Sequence, residues 1–190
     1  GNTIVGRRSL KDNRNDWLMK GFKVKILYYS NYASLYAGIL KVLFYNIFLL
    51  LLRGGTHIAS LFNVKAKKWV QGRKKIFEKL EAAIPKGGFI IWIHCASLGE
   101  FEQGRPVIEQ IKKEYPAYKI LLTFFFFFCY EAQKNYKDAD WIFYLPVDGP
   151  RNAKRFLEIV QPSLVIFVKY EFWYYYLKKI KYRKIPLLLI

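Results

Sequence analysis

Phe89-Ile-Ile-Trp-Ile-His-Cys-Ala-Ser-Leu-Gly-Glu100 is the stretch from which the fold of this chain can be read. It follows a Gly87-Gly88 turn, and its first seven residues contain no Asp, Glu, Lys or Arg. A strand that is apolar on both faces belongs in a sheet covered on both sides, which is the setting of parallel sheets. The small residues and Gly99 that come next permit a tight turn, and Glu100 stands at or near the start of a helix.

Working outward, the same kind of run recurs at 119–125, 141–145, 164–168 and 186–190, and the segments 102–114, 130–136, 152–160 and 172–180 between them carry helical patterns. Five strands separated by four helices imply βαβ crossovers and a Rossmann-like α/β domain with a parallel sheet. Pro116, Pro146, Pro150, Pro162 and Pro186 all fall between elements, as breakers should. The last run stops at Ile190 with no helix to follow, so the reading expects a longer protein to continue there.

With 190 residues, 53% of them hydrophobic, the chain can bury one ordinary core and has room for an appendage. Its 32 Lys and Arg against 14 Asp and Glu give a net charge of +18, a field that attracts phosphates of nucleic acid, anionic lipid or nucleotide. Nucleic acid is set aside as a partner, because the aromatics sit inside apolar strands and no RNA-binding, zinc or helix-turn-helix signature accompanies the charge. Cys95 and Cys129 lie in no metal-binding or disulfide spacing, so no metal is expected.

The appendage is N-terminal. Between Ile26 and Leu52 the only formal charge is Lys41, and Val42-Leu-Phe-Tyr-Asn-Ile-Phe-Leu-Leu-Leu-Leu52 is too apolar for a solvated helix. The continuous run is shorter than the ~20 residues of a spanning helix, so a lipid-seated helix with Lys41 at the interface is favoured over a span; a buried core hairpin is the competing reading. Basic residues flank both sides, which suits an anchor whose two flanks share one membrane face. The expected organisation is a basic arm without regular structure at 1–25, a membrane-associated helical segment at 26–62 and the Rossmann-like domain at 63–190. Within the last, 63–83 reads as an amphipathic helix around Trp69, Val70, Ile76, Phe77 and Leu80.

Ligands of open parallel sheets bind beyond the carboxyl ends of the strands. Two carboxylates fall there: Glu100 after the first strand and Glu171, in Lys169-Tyr-Glu171, after the fourth. Glu100 reads as a helix cap stabilised by the helix dipole or as a functional group, the cap being the commoner role of an acidic residue in a first turn.

Trp92-Ile-His-Cys-Ala-Ser-Leu-Gly-Glu-Phe-Glu-Gln-Gly-Arg-Pro106, together with Tyr144-Leu-Pro-Val-Asp148 and Val168-Lys-Tyr-Glu-Phe-Trp173, resembles the Kdo (3-deoxy-D-manno-octulosonic acid) transferases, in particular their Bacteroidetes-type sequences. The resemblance reaches back through Lys67-Lys-Trp-Val-Gln-Gly-Arg73 to about Phe44 and forward to Ile190. It implies the N-terminal, acceptor-binding half of a GT-B glycosyltransferase, with the half that binds CMP-Kdo absent and the fragment inactive alone. It further implies an inverting transfer to lipid A precursor at the cytoplasmic face of the inner membrane, with no cofactor beyond the donor CMP-Kdo. Glu100 matches the family's general base, with Ser97, Gly99, Arg105, Lys169 and Glu171 as acceptor-side residues. An alternative is a catalytically dead domain that docks on anionic membrane. One departure stands out: where the family has a Ser/Thr-Pro-Ser/Thr-Gly loop after the second strand, this chain reads Thr123-Phe-Phe-Phe-Phe-Phe-Cys129, which lacks the hydroxyls and glycine that cradle an anion.

Overall fold

The computed structural model describes residues 35–169 and 172–190, with side chains from residue 40 onward; the expected basic arm, the start of the expected anchor and Glu171 lie outside the described residues. Five strands form one parallel sheet: β1 (Ile90–Cys95), β2 (Lys119–Phe124), β3 (Trp141–Tyr144), β4 (Leu164–Phe167) and β5 (Leu187–Leu189), in the order β3-β2-β1-β4-β5. The fold is the α/β, Rossmann-like arrangement anticipated from the strand runs.

Every residue of β1 is buried, which is why the strand reads as apolar throughout. Alternation then divides it between two cores. Ile91, Ile93 and Cys95 face α4 (Leu98–Glu114) and α5 (Phe127–Gln133), packing with Phe101, Ile108 and Cys129. Ile90 and Trp92 face α3 (Ile76–Ala83), α6 (Pro150–Val160) and α7 (Tyr174–Tyr182). Trp92 is the centre of that second core, with ring centroids 4.7 Å from Phe156, 5.3 Å from Phe167 and 5.5 Å from Tyr176. Its indole N–H is satisfied by Thr123 Oγ1 at 2.8 Å, so the large ring is buried without a stranded donor.

Strand ends shift by about one residue and the ends of the last two helices by about two, and three departures from the sequence reading are larger. Helix α4 begins at Leu98, four residues early, because Ser97 and Glu100 form a capping box that starts the helix inside the turn. Helix α5 begins at Phe127, since β2 ends at Phe124 and the Phe run is divided between strand, loop and helix. The single amphipathic helix expected over 63–83 is two helices, α2 (Val64–Arg73) and α3, broken where Lys75 takes a left-handed φ of 56°. The break redirects the chain: Trp69 of α2 packs at the carboxyl end of the sheet, whereas Ile76 and Leu80 of α3 lie on its face.

Helix α1 (Leu35–Phe62) runs into α2 through Asn63, whose side chain accepts from the N–H groups of Lys65 and Ala66. Its stretch Leu40–Phe62, 23 residues, is long and apolar enough to cross a membrane by length and composition. Leu49 is buried in a third cluster with Trp69, Ala96, Phe125 and Val147, and Tyr45 and Leu52 are half-buried against it. The opposite side, including Leu43, Phe44, Ile47, Leu50 and Leu51, is exposed. One stripe of α1 therefore docks on the sheet's carboxyl end while the rest remains without a protein partner among the described residues.

Candidate functional site

The chain leaves β1 to build β2 and β3 on one side, then crosses by α6 to β4 on the other side, so a crevice opens beyond the carboxyl ends of β1 and β4. The β1 end supplies the turn Ala96–Glu100. There Glu100 Oε2 accepts from Ala96 N–H at 2.5 Å and Ser97 N–H at 3.1 Å, and Ser97 Oγ accepts from Glu100 N–H at 3.3 Å. The carboxyl is thus fixed as a helix cap, while Oε1 has no hydrogen-bond partner among the described residues and the side chain is half-exposed. Gly99 is exposed, and a Cβ there would meet nothing closer than Ser97 Oγ at 4.0 Å.

Under this turn lies Cys129, whose Sγ donates to Ala96 O at 3.6 Å and whose thiol is pushed up to about 11 by burial. The residue that ends the Phe run therefore packs beneath the Glu100 turn as an inert thiol.

The β4 end supplies Lys169, exposed and in a left-handed conformation with φ 64°, its backbone N–H donating to Ile190 O at 2.6 Å. Ser97, Gly99, Glu100 and Lys169 are thus gathered at the mouths of adjacent strands. Arg105 stands apart, two turns along α4, where its guanidinium donates to Glu102 at 2.5 Å and lies 5.0 Å over the Phe101 ring.

Three side chains that composition alone did not single out organise the crevice. His94, the last inward residue of β1 on the α7 side, accepts at Nε2 from Trp173 Nε1–H at 3.2 Å. An indole N–H can only donate, so Nε2 carries no proton and the neutral ring presents Nδ1–H to Thr123 O at 3.0 Å. Burial pushes this imidazole down to about 3, and the ring ties β2, β1 and the segment before α7 together. Arg73 lies 3.9 Å over the Trp69 ring and 5.0 Å from Tyr144, and its three nitrogens donate to the carbonyls of Leu145, Trp69 and Phe125. Burial draws its pKa to about 9, which leaves it charged at neutral pH. Trp69 Nε1–H adds a second bond to Phe125 O at 3.1 Å, so the loop after β2 is pinned by its backbone.

Asp148, fully buried, accepts from Tyr45 Oη–H at 2.6 Å and from the N–H groups of Tyr175 at 2.9 Å and Tyr176 at 3.2 Å. Burial pushes its carboxyl above the ordinary value, although these donors pull the other way. With Arg53 donating to Asp148 O at 3.3 Å and Tyr175 Oη–H to Asn46 at 2.7 Å, this residue is the joint between α1 and the sheet. Arg73, His94 and Asp148 all lie inside the quoted motifs, and that membership is the one signal the sequence carried for them.

On the α6 side of α1 a groove of about 650 Å³ has a floor that includes Trp69, Val70, Ile76, Phe77, Pro146 and Val147 and a rim that includes Arg53, His57, Lys74, Lys75 and Arg155, of which Lys75 pairs with Glu78 at 3.7 Å and Arg155 with Glu81 at 3.1 Å. Among the described residues no three His, Cys, Asp or Glu side chains gather in a way that could hold a metal ion.

Comparison with known proteins identifies the family of the chain. Residues 66–190 match the family described as 3-deoxy-D-manno-octulosonic-acid transferase (kdotransferase). The chain is 38% identical over 101 residues to the 3-deoxy-D-manno-octulosonic acid transferase of Aquifex aeolicus, covering 53% of this chain and 27% of that protein. It is 31% identical over 131 residues to the enzyme of the same name from Haemophilus influenzae, covering 67% of this chain and 30% of that one. A third relative of that name, from Rickettsia felis, is 35% identical over 96 residues, half of this chain and 20% of its own length. The chain spans less than a third of the length of these relatives.

Proposed function

The chain belongs to the 3-deoxy-D-manno-octulosonic-acid transferase family, and from that premise we propose that it supplies the acceptor-side half of Kdo transfer from CMP-Kdo to lipid A precursor in lipopolysaccharide biosynthesis. In this proposal the donor is bound by a part of the enzyme outside these 190 residues, and residues 1–190 by themselves turn nothing over. In the transfer, an acceptor hydroxyl attacks the anomeric carbon of Kdo from the face opposite the nucleotide. Its proton passes to Glu100, and CMP departs with the electrons of the bond it loses, which inverts the centre.

The observation that carries this reading is the Glu100 carboxyl, held at the mouth of the crevice by two backbone N–H groups on Oε2 with Oε1 unclaimed among the described residues. Orientation by the backbone is what a positioned base requires. In the same reading Ser97, Gly99 and Lys169 contact the acceptor from adjacent strand ends, Glu171 supports them, and Arg105 contributes only by leaving Glu102. Arg53 and Lys74 at the rim of the groove beside α1 support a phosphorylated acceptor, and the exposed apolar side of α1 supports a seat on the cytoplasmic face of the inner membrane.

A second reading, a catalytically dead domain that docks on anionic membrane, is favoured by one feature: Phe126, Phe127 and Phe128 stand where the family's hydroxyl-bearing loop is expected. One experiment separates the two. The chain is fused after Ile190 to the donor-binding half of a curated relative and assayed with lipid A precursor and CMP-Kdo, with and without Glu100→Gln. Because glutamine serves a capping box as well as glutamate, the substitution keeps the cap and removes the base. The expected result is turnover in the fusion and a loss of about 10²–10⁴ in rate with acceptor binding unchanged. Near-normal turnover in Glu100→Gln removes the base assignment. A fusion that binds acceptor and transfers nothing, even with a Ser-Pro-Ser-Gly loop restored at 126–129, establishes the docking reading.

A further inference from the structure

The Phe run resolves into two kinds of residue. Phe124 and Phe125 are buried, whereas Phe126 is 43% and Phe128 49% exposed, and those two rings stack at 5.6 Å with an interplanar angle of 12°. They are not exposed because the loop is loose: Phe125 O takes donors from both Arg73 and Trp69, and the Phe125 ring packs 4.6 Å from Trp173. The fold thus holds a paired aromatic surface outward at the carboxyl end of the sheet, where exposed rings raise the expectation of a partner.

Two observations say what that partner is. Phe125 and Phe127 belong to the same cluster as Leu49, Tyr45 and Leu52 of α1, so the pair continues from the helix whose outer side is apolar and uncovered. The neighbouring helix is cationic: Lys68 lies 5.8 Å over the Phe127 ring and α2 contains no acid, while Glu131, the acid on α5 itself, is paired with Lys134 at 2.9 Å. An aromatic tip rimmed by lysine and continuous with an apolar helix is the pattern of a surface that enters an anionic bilayer at headgroup depth.

We propose that Phe126 and Phe128 form a second point of bilayer contact, inserting into an anionic membrane beside α1 and holding the Glu100 turn at the level of the lipid headgroups. The inference rests on the membrane seating proposed above and adds to it an orientation: the carboxyl end of the sheet faces the lipid. It also gives the substituted loop a task that a hydroxyl-rich loop would not perform.

The test uses the whole chain carrying Phe128→Cys labelled with an environment-sensitive NBD fluorophore; Cys95 and Cys129 are buried, so the label goes to the new thiol. Ser163→Cys, exposed at the amino end of the sheet, is the control. Vesicles contain equal parts phosphatidylcholine and phosphatidylglycerol, with and without doxyl-labelled lipid as quencher. The expected result is a blue shift and doxyl quenching at position 128 and neither at 163. In unlabelled chain, Phe126→Ser with Phe128→Ser should weaken vesicle partitioning by about ten- to hundredfold, from the apolar area the two rings would otherwise bury. A chain that sediments with vesicles while the 128 label stays in water overturns the inference and leaves the membrane seating intact. A chain that does not sediment with them overturns both. A blue shift at 128 that appears without vesicles and grows with protein concentration makes the pair a contact between copies, which also overturns it.

Discussion

If Asp148 is the joint between α1 and the sheet, then Tyr45→Phe should loosen that joint while leaving the rest of the core intact. The substitution deletes one oxygen and keeps the ring, whose edge contacts with Tyr174 at 5.9 Å and Tyr175 at 6.2 Å remain. What is lost is a 2.6 Å hydrogen bond to a buried carboxyl, worth about 1–3 kcal/mol. The bonds that remain across the joint, Asn46 with Tyr175 and Arg53 with Asp148 O, lie at or near the exposed rim and contribute less. The loss should therefore appear as partial undocking of α1 and not as global unfolding. In amide exchange in mild detergent, the Tyr175 and Tyr176 N–H groups that bind Asp148 should exchange roughly 5- to 150-fold faster, the factor those energies correspond to. A double-mutant cycle with Asp148→Ala, followed by urea unfolding, isolates the pair, because alanine leaves Tyr45 Oη–H no side-chain acceptor at that position. If Tyr45→Phe costs as much in the Asp148→Ala background as in the parent, with a coupling below about 0.5 kcal/mol, the bond does not dock the helix and the reasoning fails.

Other expectations concern the residues that organise the crevice. His94 is neutral in the fold with a pKa near 3 against an ordinary 6.5, so its contribution to stability is complete above about pH 6.5 and falls by roughly 1.4 kcal/mol per pH unit as pH drops toward 3; His94→Gln, followed by denaturant unfolding across that range, should flatten the slope. Gly72→Ala would set a Cβ 2.3 Å from Tyr144 Cε2, in a ring already stacked 4.2 Å from Tyr130, so the overpacking cost of about 1–3 kcal/mol should exceed the helix-propensity gain and lower Tm. Arg73→Lys keeps the charge but cannot reach three carbonyls at once, and a loss of about 2–3 kcal/mol is expected in thermal unfolding; an unchanged Tm would deny the guanidinium its role in pinning the loop.

How much of this was legible beforehand depended on how local the deciding interaction is. The strands were read to within about a residue at most ends because a strand buried on both faces must be apolar throughout, and Ile90–Cys95 is. The division of the Phe run was not legible, since phenylalanine suits a strand end, an anchored loop and a helix start alike. What sets the boundary is Arg73, more than fifty positions earlier in the chain, holding Phe125 O. The residues at the break between α2 and α3, Lys74 and Lys75, are neither Gly, Asn nor Pro, and Gly72 lies inside the last turn of α2: Lys75 accepts a left-handed conformation because the two helices have different surfaces to cover. Asp148 was visible as a motif residue, but its partner Tyr45 lies 103 positions away.

Glu100 is the instructive case. The Ser97 to Glu100 spacing announces a capping box from four residues of sequence, and the structure contains one. Capping and base catalysis are not rivals for the same atoms here: the cap uses Oε2 and fixes the plane of the carboxyl, and a base needs one oxygen in a fixed plane. The cap can be read from within the turn. The base depends on an acceptor and a donor half that approach from outside, which no local pattern in residues 89–100 can specify. Their roles separate under substitution for the same reason, since glutamine retains the acceptor that the cap requires and discards the proton affinity that the transfer requires.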